Sequence, residues 1–110
     1  MSTISTHVLD TALGVPAGGV RVSLERADGK LLGAGITNAD GRVKEFDPPV
    51  GSLVTGTYRL RFAVGEYFAS SQRATFYDFI AIDFRITDVG AHYHVPLLVS
   101  PFGYTTYRGS

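Results

Sequence analysis

The sequence contains no cysteine and no tryptophan among its 110 residues, and neither sign of charge is in excess. Without cysteine the chain can form no disulfide, no thiolate nucleophile and no cysteine-based zinc site. Ten basic residues balance ten acidic ones, and no Lys/Arg stripe follows a strand or a loop. A protein that tracks a phosphate backbone needs such a stripe, so we expect no nucleic-acid partner.

Long apolar runs are missing as well. No stretch approaches the roughly 20 apolar residues that a membrane-spanning helix requires. The first ten residues, MSTISTHVLD, have neither the basic segment nor the apolar core of a secretory signal. We therefore expect no membrane association and a cytoplasmic location.

The chain has enough apolar residues for a core of its own. Hydrophobic residues make up 45% of the sequence, and a length of 110 residues is typical of one compact domain. No internal repeat, low-complexity tract or linker divides the chain. Residues 1–110 are therefore predicted to form a single domain.

Apolar and polar residues alternate in three runs, as in strands that bury one face. The apolar positions of these runs are Val20, Val22 and Leu24, then Tyr58, Leu60, Phe62 and Val64, and then Ile80, Ile82, Phe84 and Ile86. Turn-forming pairs such as Asp28-Gly29 and Asp40-Gly41 lie between the runs. This pattern predicts an antiparallel β-sandwich of seven to eight strands.

One segment departs from the alternation. In GEYFASSQRATF, residues 65–76, the two-residue period stops, and the composition suits a short helix. We predict about two helical turns within residues 65–75.

Two of the three histidines stand two positions apart in HYHVPLLVS. His92 and His94 should share one strand face, while Tyr93 and Val95 point to the other. A metal site completed by His7 is conceivable, but no motif supplies further carboxylate ligands, so no metal and no cofactor are predicted. From residue type alone, His92 is expected to be a solvated strand residue and His94 a hydrogen-bonded, partly buried one.

Three stretches carry a resemblance that covers the whole chain. They are STHVLDTALGVPA at 5–17, TNADGR at 37–42, and HYHVPLLVSPFGYTTYRGS at 92–110. In these stretches the chain resembles the transthyretin-like protein family, and within it the 5-hydroxyisourate hydrolases. The YRGS ending marks those hydrolases and is absent from the vertebrate hormone carriers of the same fold.

The resemblance implies a transthyretin-like sandwich that hydrolyses 5-hydroxyisourate to 2-oxo-4-hydroxy-4-carboxy-5-ureidoimidazoline. It implies a homotetramer whose active sites lie in a cleft between subunits. Matched motif by motif, the family's catalytic residues correspond to His7, Arg42, His94 and Ser110. The substrate-binding residues implied in the same way are His7, Arg42, Tyr107 and Arg108.

These residue types suit the implied reaction. Histidine titrates near neutrality, so His7 and His94 can activate water and deliver a proton to the leaving nitrogen. A guanidinium can hold the substrate's oxygens and offset developing negative charge, which is the role implied for Arg42. Spacing does not decide which histidine is the base. A seryl intermediate is disfavoured because the sequence has no G-x-S-x-G elbow.

Other interpretations compete with the enzyme hypothesis. Without the resemblance, Arg42 would be a solvated turn residue and Tyr107 a cover for a sheet edge. At the level of the whole protein, the alternatives are a transthyretin-type carrier of a small aromatic ligand and a plain β-sandwich interaction module. The YRGS ending and the set of His7, Arg42 and His94 favour the hydrolase.

Overall fold

The structure is a computed structural model, and it describes residues 3–110. In this part of the chain the elements are β1 (Thr3–Asp10), β2 (Val15–Pro16), β3 (Arg21–Arg26), β4 (Leu31–Ile36), β5 (Gly56–Phe62), α1 (Val64–Ser70), β6 (Ile80–Ile86), β7 (His92–Ser100) and β8 (Gly103–Thr106). Within the same residues, no helix is long and apolar enough to span a bilayer.

The strands form two four-stranded sheets that share one core. The first sheet has the order β2-β1-β7-β8 and the second the order β4-β3-β5-β6. The core is built from the inward positions of both sheets, including Val8, Val22, Leu24, Leu60, Phe62, Ile80, Ile86, Leu97 and Val99. Burying a side chain of this size stabilises the fold by about 1.5–3 kcal/mol. The predicted β-sandwich and its alternation are confirmed.

One strand pairing departs from the predicted antiparallel pattern. Strand β1 runs parallel to β7, from Thr3 opposite His92 to Asp10 opposite Val99. Antiparallel neighbours can be joined by a hairpin, whereas the whole second sheet lies between β1 and β7 in the chain. Their direction is therefore fixed by packing of the two sheets and not by a local turn.

The predicted short helix of about two turns is confirmed, and it begins one residue earlier than the predicted segment. It spans Val64–Ser70, about two turns, and buries Val64 and Phe68 on one face. It ends because Gln72 takes a positive φ of 58°, and the amide of Arg73 then donates to the carbonyl of Phe68. The predicted segment, residues 65–75, therefore extends five residues beyond the last helical residue, and Val64 belongs to the helix and not to the strand before it.

Asp10 ties the end of β1 to the segment that follows the helix. Its carboxylate is fully buried and accepts hydrogen bonds from Arg73 Nη2 at 2.6 Å and from the Tyr67 hydroxyl at 2.7 Å. Burial alone would raise the pKa of Asp10, but the hydrogen bonds from Arg73, Tyr67 and Leu13 outweigh it and lower that pKa. The aspartate of the HVLD motif is thus a structural anchor.

Candidate active site

Alternation along β1 and β7 sends the candidate histidines to the face of the first sheet that points away from the core. On β7 Tyr93 and Val95 are buried, while His92 is exposed and His94 half-buried. On β1 the parallel register sets Ser5 opposite His94. The prediction that His92 and His94 share a face is confirmed.

A tight turn brings Arg42 to the same face. The Asn38 side-chain oxygen accepts from the amides of Asp40 and Arg42, and the carbonyl of Gly41 accepts from the amide of Val8. Gly41 has a φ of +78°, and a Cβ there would overlap the Val8 carbonyl oxygen, so only glycine fits this approach. The turn therefore lies against β1, where Arg42 forms a backbone bridge with His7.

The hydrogen bond of His7 assigns the proton on its ring. Nε2 of His7 lies 2.8 Å from the backbone oxygen of Asp40. A carbonyl oxygen only accepts, so Nε2 carries the proton, and Nδ1 is the nitrogen left for chemistry. The aspartate of the DG turn contributes its main chain, which no side-chain pattern in the sequence reveals.

His94 is held by a serine that the sequence interpretation missed. The Ser5 hydroxyl lies 2.7 Å from Nδ1 of His94 and 2.8 Å from Nε2 of His92. Alternation along β1 places Ser5 on the same face as His7, and this was the only signal in the sequence. It does not identify His94 as the partner of Ser5, because that depends on the register between β1 and β7, which are far apart in the chain.

The electrostatic environment keeps His94 neutral. Burial lowers its pKa most, and Coulombic interaction with Arg42, His92 and His7 lowers it further. Arg42, His92 and His7 therefore each lie within electrostatic reach of His94. A neutral imidazole at neutral pH is available as a proton acceptor.

The C-terminal motif reaches His94 through its glycine. The amide of Gly109 donates to the His94 carbonyl at 2.8 Å, and a Cβ at 109 would overlap Cδ2 of the His94 ring. Ser110 follows directly and is exposed. The glycine of YRGS, given no role by the sequence interpretation, is the residue that packs against the catalytic candidate.

Tyr107 and Arg108 lie elsewhere in the single chain. Both line a cleft of about 290 Å³ between β6 and β8, together with Asp83 and Arg85. The Arg108 guanidinium stands 4.6 Å from the ring centre of Tyr93, which points into the sandwich. The structure thus brings His7, Arg42 and His94 together and leaves these two side chains at the open edge between the sheets.

Gly109→Ala is expected to lower kcat/KM by roughly tenfold or more, because the new methyl must displace either the His94 ring or the chain end. Tm should hardly change, since no large buried apolar group is removed. Gly103→Ala is the matched control, because its Cβ would meet only Ser100 Oγ at 3.7 Å. The kinetic constants and melting temperatures of both variants are measured. If Gly109→Ala and Gly103→Ala had the same kcat/KM, the close packing of Gly109 against the His94 ring would not matter for activity.

The HIUase/Transthyretin family matches residues 4–109. Among curated relatives, the 5-hydroxyisourate hydrolase of Caulobacter vibrioides is 45% identical over 117 residues, which cover 100% of both chains. That of Deinococcus radiodurans is 46% identical and covers 97% of this chain and 95% of its own.

Solved structures agree with these matches. The structure of Klebsiella pneumoniae 5-hydroxyisourate hydrolase superposes with a TM-score of 0.87 at 44% identity, covering 98% of this chain and 99% of that one. Sea bream transthyretin, solved in complex with thyroxine, has a TM-score of 0.86 at 27% identity, covering 96% and 93%. The two share one fold, and the sequence is closer to the hydrolase.

Proposed function

The chain belongs to the HIUase/Transthyretin family, and on that premise we propose that it hydrolyses 5-hydroxyisourate at the site formed by His7, Arg42 and His94. The observation that carries the proposal is the convergence of these three side chains on one sheet face, from three separate stretches of the sequence. The substrate is a small molecule, and the reaction adds water across an acyl carbon–nitrogen bond.

His94 takes the proton from the attacking water. Its lowered pKa keeps the ring neutral at the pH of the cell, and the hydrogen bond at Nδ1 leaves Nε2 to face the water. The hydroxide adds to the acyl carbon, and the carbon–nitrogen bond then breaks. The product is 2-oxo-4-hydroxy-4-carboxy-5-ureidoimidazoline.

His7 supplies the proton to the leaving nitrogen. When both ring nitrogens are protonated, the Asp40 carbonyl accepts from Nε2 and stabilises the imidazolium, while Nδ1–H points to the substrate. Proton transfer by a positioned side chain contributes about 10²–10⁴-fold to the rate.

Arg42 stabilises the charge that develops on the attacked carbonyl oxygen. Its guanidinium is permanently charged. The backbone of Arg42 is fixed by its hydrogen bond to Asn38 and by the close contact of Gly41 with Val8. Removal of one such electrostatic donor typically costs about 10²–10³-fold in kcat.

We further propose that the chain forms a homotetramer. Tyr107 and Arg108 lie at the open edge of the sandwich, and Tyr107 is exposed, so both could reach the substrate bound by a neighbouring subunit. We also propose that the whole chain acts as one domain, since a single core joins both sheets. The cytoplasmic location stays a prediction that cell fractionation tests.

The experiment that tests the function generates 5-hydroxyisourate in place with urate oxidase and identifies the product. With protein far below the substrate concentration, the hydrolase forms the ring-opened carboxylate over many turnovers. A transthyretin-type carrier would instead bind at most one ligand per site and leave the spontaneous rate of product formation unchanged.

Deleting Ser110, or replacing Tyr107→Phe, should lower kcat or raise KM while Tm stays nearly constant. Ser110 and Tyr107 are both exposed, so neither change removes buried apolar surface. The kinetic constants and melting curves of both variants test this. Full activity in both would limit the C-terminal motif to a structural role.

Exhaustive dialysis against EDTA should leave the activity unchanged. Both ring nitrogens of His92 and Nδ1 of His94 are engaged by hydroxyl groups, and imidazole alone can do the acid–base work. Loss of activity that zinc restores would contradict this and make the two histidines metal ligands.

A further inference from the structure

A continuous row of hydrogen bonds leads from His94 to the solvent-exposed end of the sheet face. Nδ1 of His94 lies 2.7 Å from Ser5 Oγ, and the same oxygen lies 2.8 Å from Nε2 of His92. On the far side, Nδ1 of His92 is hydrogen-bonded to the Thr3 hydroxyl. His94 is half-buried at the inner end of the row, and His92 is exposed at the outer end.

Because Ser5 has a single hydroxyl proton, the hydrogen bonds of this row can be donated in either of two directions. In one, His94 Nδ1–H donates to Ser5 and Ser5 donates to His92, so Nε2 of His94 keeps its lone pair and is a base. In the other, His92 donates to Ser5 and Ser5 donates to His94, so Nε2 of His94 carries a proton. A shift of two protons along the row therefore switches His94 between acceptor and donor.

We propose that Ser5 and His92 form a proton relay that carries the proton taken up by His94 out to the solvent. The relay rests on the proposed function. After Nε2 of His94 has accepted a proton from water, its Nδ1 proton moves to Ser5 Oγ while the Ser5 proton moves to Nε2 of His92. His92 then releases its Nδ1 proton to water by way of the Thr3 hydroxyl. When the product leaves, Nε2 of His94 gives its proton to the entering water, His92 takes a proton back at Nδ1, and the reverse shift along the row restores the proton on Nδ1 of His94.

Before the next turnover, His94 must lose the proton that it takes from water, and His7 must regain the proton that it gives to the leaving nitrogen. The acyl carbon becomes a carboxylic acid, whose pKa of about 3.5 means that it is ionised at neutral pH. Each turnover therefore releases one net proton to the solvent. His94 is half-buried and within electrostatic reach of Arg42, whereas the side chain of His92, at the outer end of the row, is exposed to water.

Neither relay residue needs to contact the substrate. Ser5 positions the His94 ring and passes the proton, and His92 exchanges it with solvent. A purely structural role would not depend on the buffer, whereas a lost proton acceptor can be replaced by a small buffer base such as imidazole.

The test compares Ser5→Ala, His92→Ala and Ser5→Thr with the wild-type protein, in weak buffer and with added imidazole. We expect kcat to fall roughly tenfold in both Ala variants at unchanged KM, less than the about 10²–10⁴-fold of a direct acid–base group. Imidazole should restore His92→Ala, and Ser5→Thr should retain most activity because its hydroxyl replaces that of Ser5. Ser23→Ala, on β3 of the other sheet, is the matched control.

His92→Ala with wild-type kcat in weak buffer would overturn the relay, and so would a loss that imidazole does not restore. A wild-type protein without activity would instead refute the proposed function. A second measurement needs no substrate: in Ser5→Ala, the imidazole ¹⁵N chemical shifts of His94 Nδ1 and His92 Nε2 should change together. Unchanged shifts in that variant would also overturn the relay.

Discussion

His94→Ala is expected to lower kcat by about 10²–10³-fold, or roughly 3–4 kcal/mol of transition-state stabilisation. In the proposed mechanism, the variant removes the neutral imidazole that accepts the proton from water. His7→Ala and Arg42→Ala should cost similar factors, because on the same proposal they remove the proton donor and the fixed positive charge. Kinetics with substrate generated by urate oxidase measure all three losses.

His92→Ala is the internal control for this series. It removes the same residue type from the same strand face, two positions away, and should cost far less than His94→Ala. The variants must be compared at the same state of subunit assembly, since the proposed tetramer would lose its cleft between subunits on dissociation. If His92→Ala abolished turnover while His94→Ala stayed active, the assignment of the second catalytic histidine would be refuted.

Asp10→Ala is expected to lower the free energy of unfolding by about 3–5 kcal/mol, because it leaves a largely buried guanidinium without its partner. The side chain of Arg73 is only 22% exposed and that of Asp10 is not exposed at all. The Tyr67 hydroxyl loses its acceptor in the same step. Urea titration of the variant measures the loss.

The control for this prediction is an exposed pair. Nε of Arg59 lies 2.7 Å from Oδ1 of Asp83, and the two side chains are 37% and 54% exposed. Asp83→Ala should therefore lower the free energy of unfolding by only about 0.2–1 kcal/mol. Equal losses in the two variants would show that the buried position of Asp10 brings no extra stability.

The lowered pKa of Asp10 also predicts a dependence of stability on pH. A carboxylate with a folded pKa below its unfolded value of about 3.9 contributes its full stability above that value. The contribution is lost as pH falls through the lower, folded pKa. Unfolding free energies of the wild type should therefore decrease below about pH 4, and Asp10→Asn should lack this part of the decrease.

The strand pattern was predictable from sequence because burial in a sandwich follows a local period of two. Val22, Leu24 and Leu60 are buried as that period requires. The end of the helix was not predictable in this way. The helix ends where Gln72 takes a positive φ, and the guanidinium of the next residue, Arg73, donates to Asp10 on a distant strand.

The candidate site was predictable only in part, for a related reason. His7, Arg42 and His94 were assigned through motifs, and the structure brings them to one face. The contacts of Ser5 and Gly109 with His94 arise from the parallel pairing of the chain's two ends and from the C-terminal bridge. Such long-range register leaves no periodic signal in the sequence. The roles of all the assigned residues stay predictions: His7, Arg42, His94, Ser110, Tyr107 and Arg108.

The most direct test of the central claim compares the wild-type protein with the triple variant His7→Ala, Arg42→Ala, His94→Ala in one assay. Loss of the 5-hydroxyisourate absorbance band is followed in a urate oxidase reaction, with circular dichroism confirming that both proteins are folded. The wild type should speed the loss far beyond spontaneous decay, and the triple variant should leave spontaneous decay unchanged. A wild type no faster than spontaneous decay, or a triple variant as fast as the wild type, would contradict the account.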